Sequence, residues 1–428
     1  MLWAAVAILI GLLALGIPIA AVLGNLALAF GYAFSPMPLH RAMGELFWAN
    51  NNSFLLLSLP LFVLMGELML RAGIAEKMYQ GLAQWLSWLP GGLIHANIGA
   101  SAVFAATSGS SVATAATIGT VAVPQAEIYG YNQRLFLGSV AASGTLGILI
   151  PPSINLIVYG LLTHTSVPQL YLAGFVPGFL LSVLFMTLVV VVCLRRPAWG
   201  GTPIETDWRR RAVALVALGP PLFIFMLVVG SIYVGIATPT EAAALGVIGV
   251  ALIATLNRTM SWAVLRVSLA GTVRTTGMVT LIVLSAMFLN FVFAAVGLTD
   301  QITEFVLGLS LGPTGTMLAI IALYLVLGCV MEEFSLILTT IPIIAPIVFS
   351  LGYDPVWFGI MMVLLSQTAM ITPPIGLNLY VVQGVRGRGS MNDVIIGVAP
   401  FVAGLLMMIV LLMIFPSIAT WLPSVWYD

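Results

Sequence analysis

The fold of this chain is decided by one stretch in the middle of a long apolar run, Gly144-Thr145-Leu146-Gly147-Ile148-Leu149-Ile150-Pro151-Pro152-Ser153-Ile154-Asn155. A related stretch in the second half of the chain, in which the proline pair recurs, is Thr368-Ala369-Met370-Ile371-Thr372-Pro373-Pro374-Ile375-Gly376-Leu377-Asn378. Proline has no backbone N–H and clashes with the preceding helical turn. Each proline pair therefore predicts a break in a helix.

A helix break at membrane depth leaves backbone amides and carbonyls without partners, and lipid cannot supply them. Such a break is stable only where protein or a water-filled cavity surrounds it, and bound cations can pair with the free carbonyl oxygens. Two breaks in corresponding halves of a chain point to the binding site of an inverted-repeat transporter. We therefore expect a ligand site at the two proline-interrupted segments.

The composition is that of an all-α polytopic membrane protein. Hydrophobic residues make up 61% of the 428 residues and charged residues 7%, whereas soluble domains carry roughly a quarter charged residues. Apolar runs of about twenty residues recur, the length of a transmembrane helix. No basic cluster with interleaved aromatic residues suggests a nucleic-acid partner. Cys193 and Cys329 lie far apart in apolar sequence and are interpreted as small core residues.

The apolar runs divide the chain into two halves, each with five crossings and one re-entrant hairpin. In the first half, 1–194, we predict crossings near 2–16, 18–34, 54–72, 132–164 and 169–194, and a hairpin at 92–124. In the second half, 212–428, we predict crossings near 212–235, 238–257, 273–297, 356–384 and 392–416, and a hairpin at 314–349. Segments expected elsewhere are the interfacial stretches 36–52 and 74–89 and a basic cytoplasmic linker at 195–211.

The internal repeat can be followed at a constant offset, the one that separates the two proline pairs. Further pairs matched at this offset are Pro124 with Pro346, Tyr131 with Tyr353, and Phe136 with Phe358. Because each half has an odd number of crossings, the two halves are predicted to be inverted relative to each other.

The charge distribution predicts the orientation. With both termini outside, thirteen of the fourteen Lys and Arg residues fall in cytoplasmic loops, and only Arg41 lies outside. Asp300, Glu304, Asp354 and Asp428 also fall outside. Since Lys and Arg favour the cytoplasmic side, both termini are predicted to be periplasmic. The absence of positive charge before Arg41 favours a retained first span over a cleaved signal peptide.

The predicted turn of the first hairpin, Ser108-Gly109-Ser110-Ser111, offers hydroxyls and free carbonyls, which are oxygen ligands for a hard cation. Gly109 allows the sharp reversal. Gly144 and Thr145 of the first broken span are expected to lie opposite this turn and to complete an ion site. The alternative is that these small residues only let helices approach closely, as at many membrane interfaces.

The corresponding turn of the second hairpin, Met331-Glu332-Glu333-Phe334-Ser335, differs by its two carboxylates. A carboxylate in a membrane hairpin is costly and is a functional candidate, although each Glu could instead lie in water at the hairpin mouth. An anionic ligand would be attracted to helix N-termini and backbone amides at the two turns. Residues of the second broken span expected to face this turn are Gln367, Thr368, Thr372, Gly376 and Asn378.

Two other acidic residues have structural explanations. Glu241 follows Thr238 and Pro239 and suits the first turn of a helix, where a carboxylate is favoured. Glu67 lies four residues before Arg71, the spacing of an ion pair on a helix surface. Neither is assigned to the site.

No motif predicts an enzyme. His40, His95 and His164 lack metal-binding spacing, and no phosphate-binding loop occurs. An intramembrane serine hydrolase with Ser101 or Ser110 and His95 would need a Ser–His hydrogen bond, which the spacing does not predict. Active transport would then depend on an ion gradient or on a separate ATPase.

Four motifs, in order, resemble the large membrane subunit of the tripartite ATP-independent periplasmic (TRAP) transporters, the DctM-type permease. They are the stretches 108–113, 144–153, 237–243 and 372–378, which read SGSSVA, GTLGILIPPS, ATPTEAA and TPPIGLN. The resemblance covers essentially the whole chain.

The resemblance implies a sodium-driven importer of small organic acids, of the C4-dicarboxylate or sugar-acid type, in the bacterial inner membrane. It implies no cofactor other than sodium as coupling ion. A soluble periplasmic binding protein would deliver the substrate, and a small four-helix permease subunit would pack beside this chain. That subunit is expected as a separate chain, because no additional spans precede residue 2. The fold would be of the elevator type, in which a transport domain with both hairpins and both broken helices slides against a scaffold.

The resemblance also implies where ligands bind. One sodium site would use Ser108, Gly109, Ser110 and Ser111 with Gly144 and Thr145. The other would use Glu332, Glu333 and Ser335 with Gln367, Thr368, Thr372 and Gly376. The substrate would lie between the two turns, near Ser110, Ser153, Asn155 and Asn378. The family commonly has Asp where this chain has Glu332, and the longer side chain would alter the ion geometry.

The main alternative is a free-standing sodium–carboxylate symporter of related fold that needs no binding protein. Uptake into proteoliposomes distinguishes the two, because only the first depends on the added binding protein.

Overall fold

In a computed structural model the chain is helical, and no strand occurs among the residues that the structure describes. These are residues 1–428 except 203, 205, 206, 299, 300, 302, 303, 305–307, 309, 310, 330, 375 and 428. Asp300 and Asp428, which the charge distribution places outside, are not among the described residues.

The helices follow one another with short connections. Those of the first half are α1 (Leu2–Ala14), α2 (Ile19–Phe34), α3 (Met43–Asn51), α4 (Ser58–Arg71), α5 (Ile74–Leu86), α6 (Leu93–Ser108), α7 (Ser111–Ile128), α8 (Gln133–Gly144), α9 (Ile154–Thr163) and α10 (Val167–Arg195). Those of the second half are α11 (Trp208–Tyr233), α12 (Pro239–Leu256), α13 (Trp262–Ala295), α14 (Gly312–Gly328), α15 (Glu333–Ser350), α16 (Pro355–Ile371), α17 (Leu377–Arg386), α18 (Met391–Ile414) and α19 (Ser417–Tyr427).

Long apolar helices identify a polytopic membrane protein. Within the described part of the chain, six helices are long and apolar enough to cross a bilayer, namely α10, α11, α12, α13, α15 and α18. The remaining predicted crossings fall on shorter helices or on helices interrupted by a break. The number of ten crossings therefore stays a prediction.

The order of helices repeats with the offset of the sequence repeat. Helices α7 and α15 are separated by this offset at their first residues and again at their last residues, and α8 and α16 are separated by it at their first residues. The Pro151–Pro152 and Pro373–Pro374 peptide bonds are both cis. Each half thus contains a helical hairpin followed by a helix that is interrupted near its proline pair.

The helices pack in two groups. The first contains the hairpins and the interrupted helices, α6–α9 and α14–α17, together with α10 and α18, and the second contains α2, α4, α5 and α11–α13. Helices α8 and α18 cross closely because Gly138 and Gly397 lie at the crossing, where an added Cβ on either would collide with the other helix's backbone. Arg134 of α8 also pairs with Asp393 of α18 at 3.0 Å. These contacts join the two halves.

Three helix boundaries differ from those predicted. Helix α7 passes through Pro124 and ends at Ile128, beyond the predicted hairpin 92–124. Helix α13 begins at Trp262, not near 273, and α11 begins at Trp208, inside the predicted linker. Proline inside a helix removes one hydrogen bond but does not always end the helix when neighbouring helices pack against it.

Helix α5 does not lie loosely at the interface. It is bent by 67° from α4, and its Ala75, Met78 and Tyr79 side chains are buried. It packs against α6 and α11, so it connects the two groups of helices.

The two acidic residues with structural explanations behave as predicted. Thr238 and Glu241 form a capping box at the start of α12. Glu67 pairs with Arg71 at 2.9 Å, one helical turn away on α4. Both structural interpretations are confirmed.

Candidate functional site

Tip 1, the turn Ser108–Ser111 between α6 and α7, rests on the first proline pair. Gly109 has φ of +60°, a conformation that glycine adopts without strain. An added Cβ at Gly109 would lie 3.1 Å from the carbonyl oxygen of Pro152. Ser110 caps α7, because its Oγ accepts a hydrogen bond from the Ala113 N–H at 3.4 Å.

Tip 1 contains a network of hydroxyl groups. The Thr114 hydroxyl donates to the Ser110 carbonyl oxygen at 2.7 Å and lies 3.0 Å from Ser108 Oγ. An added Cβ at Gly147 would lie 2.7 Å from the same Ser110 carbonyl oxygen. Thr114 and Gly147 therefore belong to this site, although the sequence interpretation missed both. The spacing of Thr114, one helical turn after Ser110, was the available signal.

The first interrupted helix approaches tip 1 through Gly144. Helix α8 ends at this glycine, and an added Cβ there would lie 2.7 Å from the Ala115 side chain on α7. The Thr145 hydroxyl donates to the Ala142 carbonyl oxygen at 2.7 Å. Its oxygen keeps lone pairs for a further partner. The fold therefore brings Gly144 close to tip 1.

Tip 2, the turn Met331–Ser335 between α14 and α15, uses its two carboxylates differently. Glu332 caps α15, and its Oε2 accepts hydrogen bonds from the N–H and the hydroxyl of Ser335 at 3.1 and 3.3 Å. Glu333 is 2% exposed, and its Oε2 has no hydrogen-bond partner among the described residues. Glu333 is therefore buried in protein, and the alternative of a Glu lying in water does not apply to it.

The second interrupted helix presents a buried amide to the site. Helix α16 ends at Ile371, and its Thr368 and Thr372 hydroxyls donate to carbonyls one turn earlier, at 2.8 and 2.6 Å. Gln367 is fully buried, and neither atom of its amide has a partner among the described residues. Gly376 has φ of +34° and precedes α17, where its conformation turns the chain.

Two asparagines connect each interrupted helix to the hairpin of the other half. Asn378 of α17 donates to Ser111 Oγ at 2.8 Å and to the Ala141 carbonyl oxygen at 3.1 Å. Asn155 of α9 lies beside the Glu333 carboxyl group. Ser111 and Glu333 are the first residues of α7 and α15, so the two contacts are equivalent in the repeat.

These contacts bring four helix N-termini together. Helix α7 meets α17 through Ser111 and Asn378, and α9 meets α15 through Asn155 and Glu333. An added Cβ at Gly109 would lie 3.5 Å from the backbone nitrogen of Ile154, the first residue of α9. The N-terminus of a helix has a partial positive charge and attracts anions.

Several buried polar atoms at this place have no hydrogen-bond partner among the described residues. A buried polar atom without a partner costs about 1–3 kcal/mol, so a group of them in one region suggests that a ligand completes their bonding. They are Asn155 Nδ2 and Oδ1, Gln367 Nε2 and Oε1, Asn378 Oδ1, Glu333 Oε2 and Thr339 Oγ1.

The ligands available for a cation are oxygens. Within the described part of the chain, no group of three or more His, Cys, Asp or Glu residues could hold a metal ion. Hydroxyls, amide oxygens and one buried carboxylate remain, a set that suits a hard cation and not a transition metal.

The other predicted residues have local roles. Ser153 donates to the Ile148 carbonyl oxygen at 2.6 Å and caps α9. His95 Nε2 pairs with the Pro90 carbonyl oxygen at 2.8 Å, and Ser101 Oγ pairs with Ser143 Oγ at 2.8 Å. The described residues therefore contain no hydrogen bond between His95 and either serine, which is the contact that the hydrolase alternative requires.

Comparison with known proteins places this geometry in a family. Residues 6–418 match the family described as tripartite ATP-independent periplasmic transporter, DctM component. The chain is 33% identical to the C4-dicarboxylate TRAP transporter large permease protein DctM of Vibrio cholerae, over 97% of this chain and 96% of that protein. It is 32% identical to the sialic acid TRAP transporter large permease protein SiaM of the same organism, over 97% of this chain and 96% of that protein.

A solved structure has a similar fold. The YdaH transporter of Alcanivorax borkumensis aligns with a TM-score of 0.62 over 93% of this chain and 97% of that chain. Its sequence identity is 15%, so this likeness concerns the fold alone.

Proposed function

We propose that this chain, which belongs to the DctM component family of tripartite ATP-independent periplasmic transporters and is a large permease subunit, imports small organic acids with sodium as the coupling ion. The observation that supports this most is the group of buried polar atoms without partners at the two interrupted helices. Sodium ions and a carboxylate substrate together supply the opposite charges that these oxygens and amides lack.

Sodium would bind at two places related by the repeat. At the first, the oxygens of Ser108–Ser111 and of Gly144 and Thr145 would hold it. At the second, oxygens of Glu332, Glu333, Ser335, Gln367, Thr368, Thr372 and Gly376 would hold it. The first set is neutral and the second contains a buried carboxylate, which makes the second the stronger attractor of a cation.

The substrate would lie between the two tips. Ser110, Ser153, Asn155 and Asn378 are placed where the four helix N-termini meet, and these partial positive charges favour a carboxylate. The two Vibrio cholerae relatives are named for C4-dicarboxylates and for sialic acid. We propose a substrate of one of these two classes.

The movement would be of the elevator type. The hairpins and interrupted helices of the first packing group, with the site enclosed among them, would move as a unit against the second group. Since the ligand groups all belong to the first group, the site would keep its geometry while it changes sides of the membrane.

The proposed setting is the bacterial inner membrane with both termini periplasmic. A small four-helix permease subunit and a soluble periplasmic binding protein would complete the transporter, as the family's tripartite name indicates. The chain would act in transport and not in catalysis.

Uptake by purified protein in proteoliposomes tests this function. With the small subunit and binding protein present, an inward sodium gradient should drive accumulation of one member of a panel of C4-dicarboxylates and sugar acids. Replacing sodium by potassium at equal ionic strength should remove the accumulation. Uptake that is independent of sodium would contradict the proposal.

The same vesicles test the free-standing alternative. Uptake should be absent until the binding protein is added to the compartment that represents the periplasm. Full uptake without it would favour a free-standing sodium–carboxylate symporter.

A further inference from the structure

A second polar cavity lies away from the transport site, between α5 and the first turns of α11. Its volume is about 430 Å³. Three cationic side chains line it, Lys77 from α5 and Arg209 and Arg210 from α11. None of the described lining residues is acidic, and Glu76 faces the neighbouring cavity on the other side of α5.

The first turn of α11 has a charge distribution that favours an added anion. Arginines 209–211 follow Trp208, and the turn contains no acidic residue. Asp207, directly before the helix, makes no capping hydrogen bond. Positive charge at a helix N-terminus opposes the helix dipole, so an anion in the cavity would stabilise both the arginines and the exposed amides of this turn.

The cavity has an apolar wall that continues along the membrane helix. Val213, Ala214 and Ala217 of α11 line it, and Val213 and Val216 are 71% and 75% exposed. A ligand with an anionic head and an apolar tail fits this combination better than free phosphate does.

Tryptophans place the cavity at the depth of lipid headgroups. Trp208 is 72% exposed beside it, and the Trp85 indole N–H donates to the Arg211 carbonyl oxygen at 3.1 Å. Tryptophan is enriched at the membrane–water interface. The charge distribution assigns this end of α11 to the cytoplasmic side, where basic pockets between helices bind anionic lipids.

We propose that this cavity binds the headgroup of an anionic phospholipid, with its phosphate beside Lys77, Arg209 and Arg210 and an acyl chain along Val213 and Val216. The lipid would join α5 to α11, and hence the helix that contacts the first hairpin to the second half of the chain. Buried Oε1 of Gln84, which lines the cavity without a partner among the described residues, would accept a hydrogen bond from a headgroup hydroxyl.

Phosphatidylglycerol is a suitable probe because it has both the anion and the hydroxyls. The full-length protein would be reconstituted in phosphatidylcholine with or without phosphatidylglycerol, and the lipid retained after delipidation would be measured by mass spectrometry. Neutralising the cations in Lys77→Gln/Arg209→Gln/Arg210→Gln should reduce phosphatidylglycerol retention about fivefold for each charge removed. Arg258→Gln/Arg266→Gln, a control with exposed cations outside this cavity, should retain as much as the wild type.

Three results would overturn the proposal. The first is equal phosphatidylglycerol retention in the triple variant and the wild type. The second is an increase in thermal stability with soluble glycerol phosphate that equals the increase with phosphatidylglycerol, because the site would then bind a free phosphate. The third applies to the wild type alone and so does not depend on the variant's folding: retention that does not fall as salt concentration rises, since contact between unlike charges at an exposed surface is screened by salt.

Discussion

Tip 1 and tip 2 occupy equivalent places in the two halves, but they satisfy their polar groups differently. At tip 1 the hydroxyls of Ser108 and Thr114 and the carbonyl of Ser110 bond to one another, and Ser111 accepts a hydrogen bond from Asn378. At tip 2 Glu333 is buried with an oxygen that has no partner among the described residues.

The same difference appears in the two crossed asparagines. Asn378 uses its amide N–H groups fully within the protein, whereas both amide atoms of Asn155 lack partners among the described residues. Tip 1 is thus completed mainly by the fold, and tip 2 depends more on what binds there. Duplicated architecture has therefore produced two half-sites with different requirements for a ligand, because serine can bond locally and a buried carboxylate cannot satisfy itself.

The largest effect should follow from separating tip 1 from its interrupted helix. In Gly144→Val a branched side chain enters where even a Cβ would lie 2.7 Å from the Ala115 side chain, so sodium-driven uptake should fall to background while membrane insertion remains. Uptake into proteoliposomes and the amount of protein in the membrane measure this. Gly277→Val on α13, where an added Cβ has no atom within 4 Å, is the control, and normal sodium-driven uptake in Gly144→Val would contradict the assignment.

The two asparagines should separate function from stability. Both Asn378→Leu and Asn155→Leu should abolish uptake. Asn378→Leu should also lower the free energy of unfolding by about 1–3 kcal/mol, because it leaves a buried carbonyl oxygen without a partner. Asn155→Leu removes two atoms that already lack partners, so its stability should be retained or increased. Thermal unfolding of the purified variants measures the difference, and equal destabilisation would mean that the two asparagines are not in different bonding states.

The two carboxylates of tip 2 should differ in their effect on sodium. Glu333→Gln should raise the sodium concentration for half-maximal uptake about ten- to hundredfold, since a charged ligand oxygen is lost. Glu332→Gln should have a smaller effect, because a glutamine oxygen can still accept from the Ser335 N–H. Sodium titrations of initial uptake rates compare them, and the reverse order would assign the ion to Glu332.

The smallest effect concerns the cap of α7. Ser110→Ala removes a side-chain cap worth about 1 kcal/mol and one proposed ligand oxygen, so both stability and sodium dependence should shift by a few-fold. Ser261→Ala removes a similar cap from α13, with an N–H to Oγ distance of 3.2 Å, outside the site. It should match the stability loss and leave sodium dependence unchanged; the same sodium shift in both variants would reduce Ser110 to a structural role.

Local chemistry made the interrupted helices and the turns predictable. Proline pairs disrupt helices wherever they occur, and Gly109 between serines suits a sharp reversal, so the breaks and tip 1 follow from a few adjacent residues. Glu241 and Glu67 were also interpretable, because their partners lie three and four residues away. By contrast, α7 passes through Pro124 since packing decided against the local preference.

Contacts between distant residues were not predictable in the same way. Nothing in the pattern around Asn378 shows that it donates to Ser111, 267 residues away, and nothing around Gly138 shows that it packs on Gly397. The role of Gly147 also depends on a neighbour from another helix.

By itself, the sequence determined a helical membrane protein with two similar halves, each with a hairpin and a proline-interrupted helix, because composition, spacing and proline act through near neighbours in the chain. Only the tertiary structure decided which polar atoms are satisfied, that each asparagine reaches the hairpin of the other half, and that four helix N-termini meet at one place. The physical reason is that burial and hydrogen bonding depend on residues brought together by packing, and sequence distance does not record them.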